Sequence, residues 1–268
     1  MDKTTISSGA VPSTLYNEQY FLGVCEGYRE FLSSEGEYLS QRLAEALIVA
    51  GIAPGMRVLD VGCGRGEILR NTARMGAQAF GIDYAAVAVR LSKNIAAHEA
   101  EEGYQVGVYQ ASALYLPFEA ETFDRILMFD IVEHLYPPEL DLALSEARRV
   151  LKPGGRIIVH TAPNVWYDRF AYPVVRMVRT VMGQGRRYPK NPRAVIPENV
   201  HVHVNEQSMF SLRRDLVRNG FRGVSSWLST PPQHRQENVT FRLARWVLFT
   251  LPPFSWFFQR EVFAVGAK

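Results

Sequence analysis

Residues 58–69, VLDVGCGRGEIL, hold the most informative pattern in this chain. An apolar run leads to Asp60, and Gly62, Gly64 and Gly66 follow before a helical pattern begins. A strand, a bare loop and a helix in this order are typical of an open α/β sheet, which binds its ligands at the carboxyl edge of the strands. The glycines therefore predict a loop whose backbone a ligand approaches closely.

The spacing of the glycines narrows the class of ligand. The pattern is GxGxG, and Glu67 stands where a dinucleotide-binding fingerprint requires its third glycine. A phosphate-binding Walker loop would end in Gly-Lys-Ser/Thr, which this loop does not. Asp83 ends the next apolar run, in GIDYA, where an acid can accept hydrogen bonds from both ribose hydroxyls. The pattern predicts a nucleoside-containing cofactor and disfavours an NAD-type oxidoreductase.

Length and composition indicate a globular protein with one sizeable core. The chain has 268 residues, of which 47% are hydrophobic and 21% are charged. Its net charge of +3 is too small to indicate a nucleic-acid-binding domain by itself. Two cysteines cannot build a disulfide framework, and MDKTTISSGAVPST at the start has no apolar signal segment. We expect a cytoplasmic protein.

Strand-like runs alternate with helix-like stretches between residues 56 and 162. This alternation predicts right-handed βαβ units, and hence an α/β fold with a parallel sheet covered by helices on both faces. The glycine pair at 154–155 is expected to end the last helix of this region. Strands are predicted at 56–61, 78–83, 105–110, 124–130 and 155–161, and two late ones at 224–229 and 260–267.

Four parts of the chain are distinguished by their patterns. A helical N-terminal segment, 1–36, is expected to cover the substrate and cofactor, and the binding core follows at 37–164. Residues 165–200 interrupt the alternation as a helical lid insertion. The core resumes at 201–268, with an apolar helical excursion near 234–258. The apolar part of this excursion is shorter than the roughly 20 residues that cross a bilayer, so it favours a packed helix or a peripheral membrane contact over a transmembrane span.

The chain resembles the class I S-adenosylmethionine-dependent methyltransferases. The resemblance rests on VLDVGCGRG, GIDYA, the stretch from Ala111 to Leu135 and RRVLKPGGRIIVHTAPN, which occur in the family's order and spacing. It implies a Rossmann-like sheet of seven strands, the last antiparallel, with helices on both faces. It also implies S-adenosyl-L-methionine as the cofactor.

The same resemblance implies the residues that contact this cofactor. Gly62 and Gly64 would lie along its methionine part, Asp83 would hold the ribose and Tyr84 would pack on the adenine. Ser112 departs from the family pattern, which often has an acid at this position. The implied cofactor set is Asp60, Gly62, Gly64, Gly66, Asp83, Tyr84, Ser112, Ala113 and Phe129.

The motif DIVEHL carries the candidate catalytic groups. Asp130, Glu133 and His134 have the spacing with which ubiquinone-biosynthesis O-methyltransferases and small-RNA 2′-O-methyltransferases hold a divalent ion, and His203 or His201 in NVHVHVNE would be the later histidine. Carboxylate and imidazole ligands suit Mg²⁺, Mn²⁺ or Zn²⁺. Two alternatives stay open: His134 or His203 acts as a general base without metal, or the motif only positions the loop.

These observations predict methyl transfer to a small molecule, most simply to a hydroxyl oxygen. Seven cations in the lid against Asp168 and Glu198 favour an anionic acceptor, and the apolar excursion allows a lipid-linked one at a membrane surface. Two other functions stay open. One is an RNA methyltransferase, and the other is a protein that binds the cofactor but is catalytically silent.

Overall fold

The structure is a computed structural model that describes residues 10–229 and 239–268. The predictions for residues 1–9 and for 234–238 of the apolar excursion lie outside the described residues. The elements that follow belong to the two described ranges.

One mixed sheet of seven strands organises the molecule, in the order β3-β2-β1-β4-β5-β7-β6. Strands β1 to β5 are parallel, whereas β7 is antiparallel to both of its neighbours. This topology confirms the predicted Rossmann-like α/β fold. The strands are β1 (Arg57–Val61), β2 (Gln78–Asp83), β3 (Val106–Gln110), β4 (Phe123–Phe129), β5 (Leu151–Thr161), β6 (Arg222–Ser229) and β7 (Glu261–Ala267).

Helices cover the sheet and its edges. Their apolar sides pack against strand residues such as Leu59 and Ile126, which are fully buried because both faces of the sheet are covered. The helices are α1 (Glu18–Gly23), α2 (Tyr28–Ser34), α3 (Gln41–Ala50), α4 (Glu67–Arg74), α5 (Ala86–Glu101), α6 (Pro137–Val150), α7 (Tyr172–Val181), α8 (Asn199–Val202), α9 (Met209–Arg218), α10 (Val239–Thr250) and α11 (Phe254–Phe258).

The strand register brings the predicted site residues to one edge of the sheet. Asp60 pairs with Gly81 of β2 on one side and with Leu127 of β4 on the other. The ends of β1, β2 and β4 therefore lie side by side, so that Asp83 and Phe129 flank the loop that follows β1. This is the carboxyl edge, where open α/β sheets bind their ligands.

One boundary differs from the prediction. Helix α6 ends at Val150, and β5 begins at Leu151, so Gly154 and Gly155 lie inside the strand. Gly154 has φ 77°, and a Cβ on Gly155 would lie 2.9 Å from the side chain of Leu151. The glycine pair therefore permits a tight bend within the strand and does not end the helix.

The lid insertion is mostly helical. A π-helical turn, Tyr167–Ala171, leads directly into α7, and short 3-10 turns connect it to α8. The apolar excursion forms α10 and α11, which flank the Pro252-Pro253 pair. Within the described ranges, the helices are all too short or too polar to cross a membrane.

Candidate active site

A cavity opens at the carboxyl edge of the sheet, over the loop between β1 and α4. Eight of the nine residues predicted to contact the cofactor line it: Asp60, Gly62, Gly64, Asp83, Tyr84, Ser112, Ala113 and Phe129. The strand register explains this convergence, because the residues that end or follow the parallel strands share one edge.

Gly66, the ninth predicted residue, does not line the cavity. It lies at φ 91° immediately before α4, and a Cβ there would come within 3.0 Å of Cα of Ser92. Its glycine is required because the loop turns into α4 where that helix packs closely on α5. Gly66 therefore shapes the loop from outside the cavity.

Two buried carboxylates face the cavity. Asp83 Oδ2 accepts a hydrogen bond from the amide of Gly64 at 3.1 Å, and Oδ1 accepts one from the amide of Ala85 at 2.9 Å. Burial nevertheless raises the pKa of Asp83 to about 6. Burial, together with nearby Glu67 and Asp83, raises the pKa of Asp60 well above its usual range. A ligand that donates hydrogen bonds or carries positive charge would stabilise the ionised form of both carboxyl groups.

The N-terminal segment forms one wall of the cavity. Tyr16, Tyr20 and Phe21 line it, and the hydroxyl of Tyr84 donates a hydrogen bond to the carbonyl of Val11 at 3.1 Å. The sequence predicted a cover here but did not identify these side chains. Their closely spaced aromatic pattern in STLYNEQYF was the available signal.

Arg65 of the glycine loop fixes this segment in place. Its side chain is 2% exposed and donates to the carbonyls of Phe21, at 2.6 Å, Cys25, at 3.2 Å, and Glu26. Its guanidinium also pairs with Glu67 at the start of α4. A buried arginine that satisfies several carbonyls ties the cover to the cofactor loop.

The EH pair of DIVEHL meets the HVHV segment beside the cavity. Ligand atoms of Glu133, His134 and His203 lie within 4.8 Å of one another, a spacing that could hold a metal ion. The amides of Val204 and Asn205 donate to the carbonyl of Glu133 and hold the two segments together. Of the two candidate histidines, the structure brings His203 into this group and leaves His201 exposed.

The two imidazoles of this trio are in the form that suits metal binding or proton acceptance, whereas the carboxyl of Glu133 is held protonated at pH 7. Burial lowers the pKa of His134 to about 4 and that of His203 to about 3, so both imidazoles are neutral at pH 7. Nδ1 of His134 lies 3.0 Å from the carbonyl of Val202, which can only accept, so Nδ1 carries the proton and Nε2 is unprotonated. Burial and nearby Asp130 raise the pKa of Glu133 to about 8, and its Oε2 accepts from Thr161 at 2.7 Å.

Asp130, predicted as a further metal ligand, has other partners. Its carboxylate lies 2.6 Å from Nη2 of Arg42 and 3.0 Å from Nδ1 of His160, and these two cations hold its pKa well below its usual range. Nε2 of His160 is 2.7 Å from Glu261, which also lies 3.5 Å from Arg42. Asp130 lines the cavity, but this mostly buried ion network engages its carboxylate, and Asp130 is not part of the metal group.

Asp130 also has a backbone conformation that is rare outside glycine. Its φ is 52°, at the point where β4 leaves the sheet and the EH loop begins. In this conformation its carboxylate lies beside Arg42 and His160. Sequence patterns did not reveal this network, because Arg42, His160 and Glu261 come from three distant elements.

The lid cations do not contribute to the cavity. Among the described residues, those that line it come from the N-terminal segment and the core, not from 165–200. Several lid arginines are engaged within or beside the lid: Arg176 donates to the carbonyl of Tyr188, Arg179 to Gln184, and Arg193 pairs with Glu206. The positive charge of the lid therefore does not act on a ligand through residues that line this cavity.

Fold and cavity together have the features expected of a class I S-adenosylmethionine-dependent methyltransferase domain. The family model described as a methyltransferase domain matches residues 59–159, from β1 into β5. This part contains the glycine loop, Asp83 and the EH motif.

The curated proteins to which part of the chain is similar are also methyltransferases by name. The chain is 35% identical over 107 residues to the ubiquinone biosynthesis O-methyltransferase of Chelativorans sp., a match that covers 40% of each chain. It is 36% identical over 126 residues to the protein of that name from Xanthomonas axonopodis pv. citri, with 47% of each chain covered. Each match spans less than half of the relative's length.

Solved structures share the fold at lower identity. A SAM-dependent methyltransferase from Archaeoglobus fulgidus is 20% identical, with a TM-score of 0.58 over 89% of this chain and 99% of that one. Geranyl diphosphate C-methyltransferase from Streptomyces coelicolor is 19% identical, with a TM-score of 0.57 over 97% and 90%. Similarity at this level shows the architecture alone.

Proposed function

We propose that this protein transfers the methyl group of S-adenosylmethionine to a hydroxyl oxygen of a small molecule. The observation that carries the proposal is one cavity that is lined both by the glycine loop with Asp83 and by His134. The groups expected to hold the cofactor and a neutral imidazole therefore line the same cavity. The names of the partial relatives support oxygen as the acceptor atom.

The protein's task in this reaction is mainly positioning. The cofactor supplies an activated methyl on a sulfonium centre, so the chain must align the acceptor in line with it and exclude water. Asp83 holds the ribose, the Gly62–Gly64 backbone accommodates the methionine part, and Tyr16 and Phe21 close the cavity against solvent. A hydroxyl acceptor must also lose a proton as it attacks.

Two uses of the EH site meet this last need. In the first, Glu133, His134 and His203 hold a divalent cation, which would lower the pKa of an acceptor hydroxyl. In the second, the unprotonated Nε2 of His134 accepts the proton directly. Three ligand atoms within 4.8 Å and two neutral imidazoles favour the cation, which would displace the proton that Glu133 carries at pH 7.

The acceptor is proposed to be an anionic or lipid-linked molecule on the basic and apolar composition of the lid alone, since the described lid residues do not line the cavity. We place the reaction in the cytoplasm, where the two free cysteines, Cys25 and Cys63, would stay reduced.

The proposal is tested by incubating purified protein with S-adenosylmethionine labelled on its methyl group and a metabolite extract. We expect the label to appear in an extractable small molecule and to be absent from RNA in the same extract. Labelled RNA would assign the protein to the alternative substrate class. Calorimetric binding of S-adenosylhomocysteine without any labelled product would support the catalytically silent alternative.

A further inference from the structure

Helix α7 and the turn before it expose an apolar stripe. Val181 is 85% exposed and Met177 is 62% exposed, although both are apolar. Their spacing is that of one face of a helix. This apolar stripe consists of Phe170, Val174, Met177, Val178, Val181 and Met182, all of which are exposed.

The stripe continues onto the C-terminal helices. The ring of Phe170 lies 5.4 Å from that of Phe257 in α11, so the two surfaces adjoin. Beyond this contact, Trp246, Leu251 and Phe254 are also exposed. A contiguous apolar surface of this kind is uncommon on a monomeric globular protein and marks a place where something binds.

Cations accompany the stripe. Arg169 lies beside Phe170, and Arg186, Arg187 and Lys190 follow α7, all four exposed. Between residues 165 and 197 the sequence contains one acid, Asp168. The binding partner must therefore combine an apolar interior with a negatively charged surface.

Occupants from the chain itself do not match this chemistry. The stretches outside the described residues, MDKTTISSG and TPPQHRQEN, have too few large apolar side chains to cover the stripe. A second copy that presented the same face would bring the lid cations of both copies together, and like charges repel.

We propose that the stripe docks the protein on an anionic phospholipid bilayer. The stripe, with Trp246, Leu251 and Phe254, would enter the boundary between head groups and acyl chains, and the lid cations would contact the lipid phosphates. Docking on a bilayer is a property separate from methyl transfer. Because vesicle binding is measured without cofactor or acceptor, it and the proposed activity can fail independently.

The test is co-sedimentation of the full chain with phosphatidylcholine vesicles, with and without phosphatidylglycerol. We expect binding to the anionic vesicles that weakens as salt rises. Replacing two stripe residues in M177S/V181S should lower the partition coefficient at least about tenfold, because less apolar area enters the bilayer. R186Q/R187Q should lower it roughly tenfold or more at low salt.

Matched controls separate the surface from general effects. Ile48→Ser removes an apolar side chain that is 77% exposed on α3, and R213Q/R222Q removes two exposed charges elsewhere. Both should bind vesicles like the unaltered protein, and all variants should retain its thermal unfolding midpoint. Absence of binding to anionic vesicles, or equal loss in I48S and M177S/V181S, overturns the proposal. The proposal is also overturned if the unaltered protein forms a dimer that M177S/V181S abolishes, and neither the unaltered protein nor the variant binds vesicles.

Discussion

The hydroxyl of Tyr16 in the N-terminal segment lies 3.0 Å from Nδ1 of His134 in the EH loop. The same ring makes edge-on contacts with Tyr84, at 5.6 Å between centroids, and with His134, at 5.6 Å. One side chain of the cover therefore touches both the residue expected to pack on the adenine and the candidate catalytic histidine. Closure of the cover and orientation of the histidine are physically linked.

Tyr16→Phe tests this link. The substitution keeps the aromatic packing but removes the oxygen that shares the Nδ1 proton of His134 with the carbonyl of Val202. We expect kcat to fall roughly fivefold, the effect of one hydrogen bond, with little change in the Kd of S-adenosylmethionine. Tyr38→Phe, at a residue 70% exposed, is the matched control. A loss of cofactor affinity with unchanged kcat would contradict a role through His134.

Asp83 should make cofactor binding depend on pH. Its pKa of about 6 means that the carboxylate is ionised at pH 8 and largely protonated at pH 5. The ionised form accepts hydrogen bonds from ribose more strongly, so calorimetry should show the Kd rising about tenfold as the pH falls from 8 to 5.

Asp83→Asn should weaken binding at pH 8 and flatten this profile, because no charge is left to titrate. Asp141→Asn, at a carboxylate whose side chain is 40% exposed, should keep the steep profile. An unchanged pH dependence in the Asp83 variant would assign the effect to Asp60 instead.

Local sequence patterns were sufficient to predict the sheet and its edge. The five parallel strands are short apolar runs separated by helical periodicity, and their alternation leaves few possible topologies. The convergence of Asp60, Asp83 and Phe129 then follows from parallel pairing, without any knowledge of side-chain contacts. The predicted end of α6 was wrong, because a glycine pair serves equally well to end a helix and to bend a strand.

The surroundings of the site could not be predicted in the same way. Arg65 is an ordinary loop arginine in the sequence, and only folding shows that it satisfies three carbonyls of the cover. Asp130 has the spacing of a metal ligand, but its carboxylate pairs with Arg42 and His160, which are distant in sequence. Ion pairs between residues far apart in sequence produce no periodic sequence pattern, so they could not be predicted.

Activity should depend on a divalent ion held by the trio. We expect a chelator to abolish methyl transfer, and Mg²⁺ or Mn²⁺ to restore it. His203→Gln should require at least about tenfold more metal for half-maximal activity, because one ligand is lost. The exposed His201, two residues away, supplies the control His201→Gln. Neither change should alter the Kd of the cofactor, and full activity in the chelator would leave His134 as a base that acts without metal.

The ion network under the EH loop should be important for stability. Arg42→Met leaves Asp130 and Glu261 with His160 as the remaining cation of the network, and an uncompensated buried charge costs about 3 kcal/mol in the free energy of unfolding. The matched control is Arg90→Met, which breaks a 2.6 Å pair with Glu18 whose side chains are about 60% exposed. Solvent screens that pair, so its loss should cost less than about 1 kcal/mol. Urea denaturation measures both, and equal losses would show that the Arg42 network is no stronger than a surface ion pair.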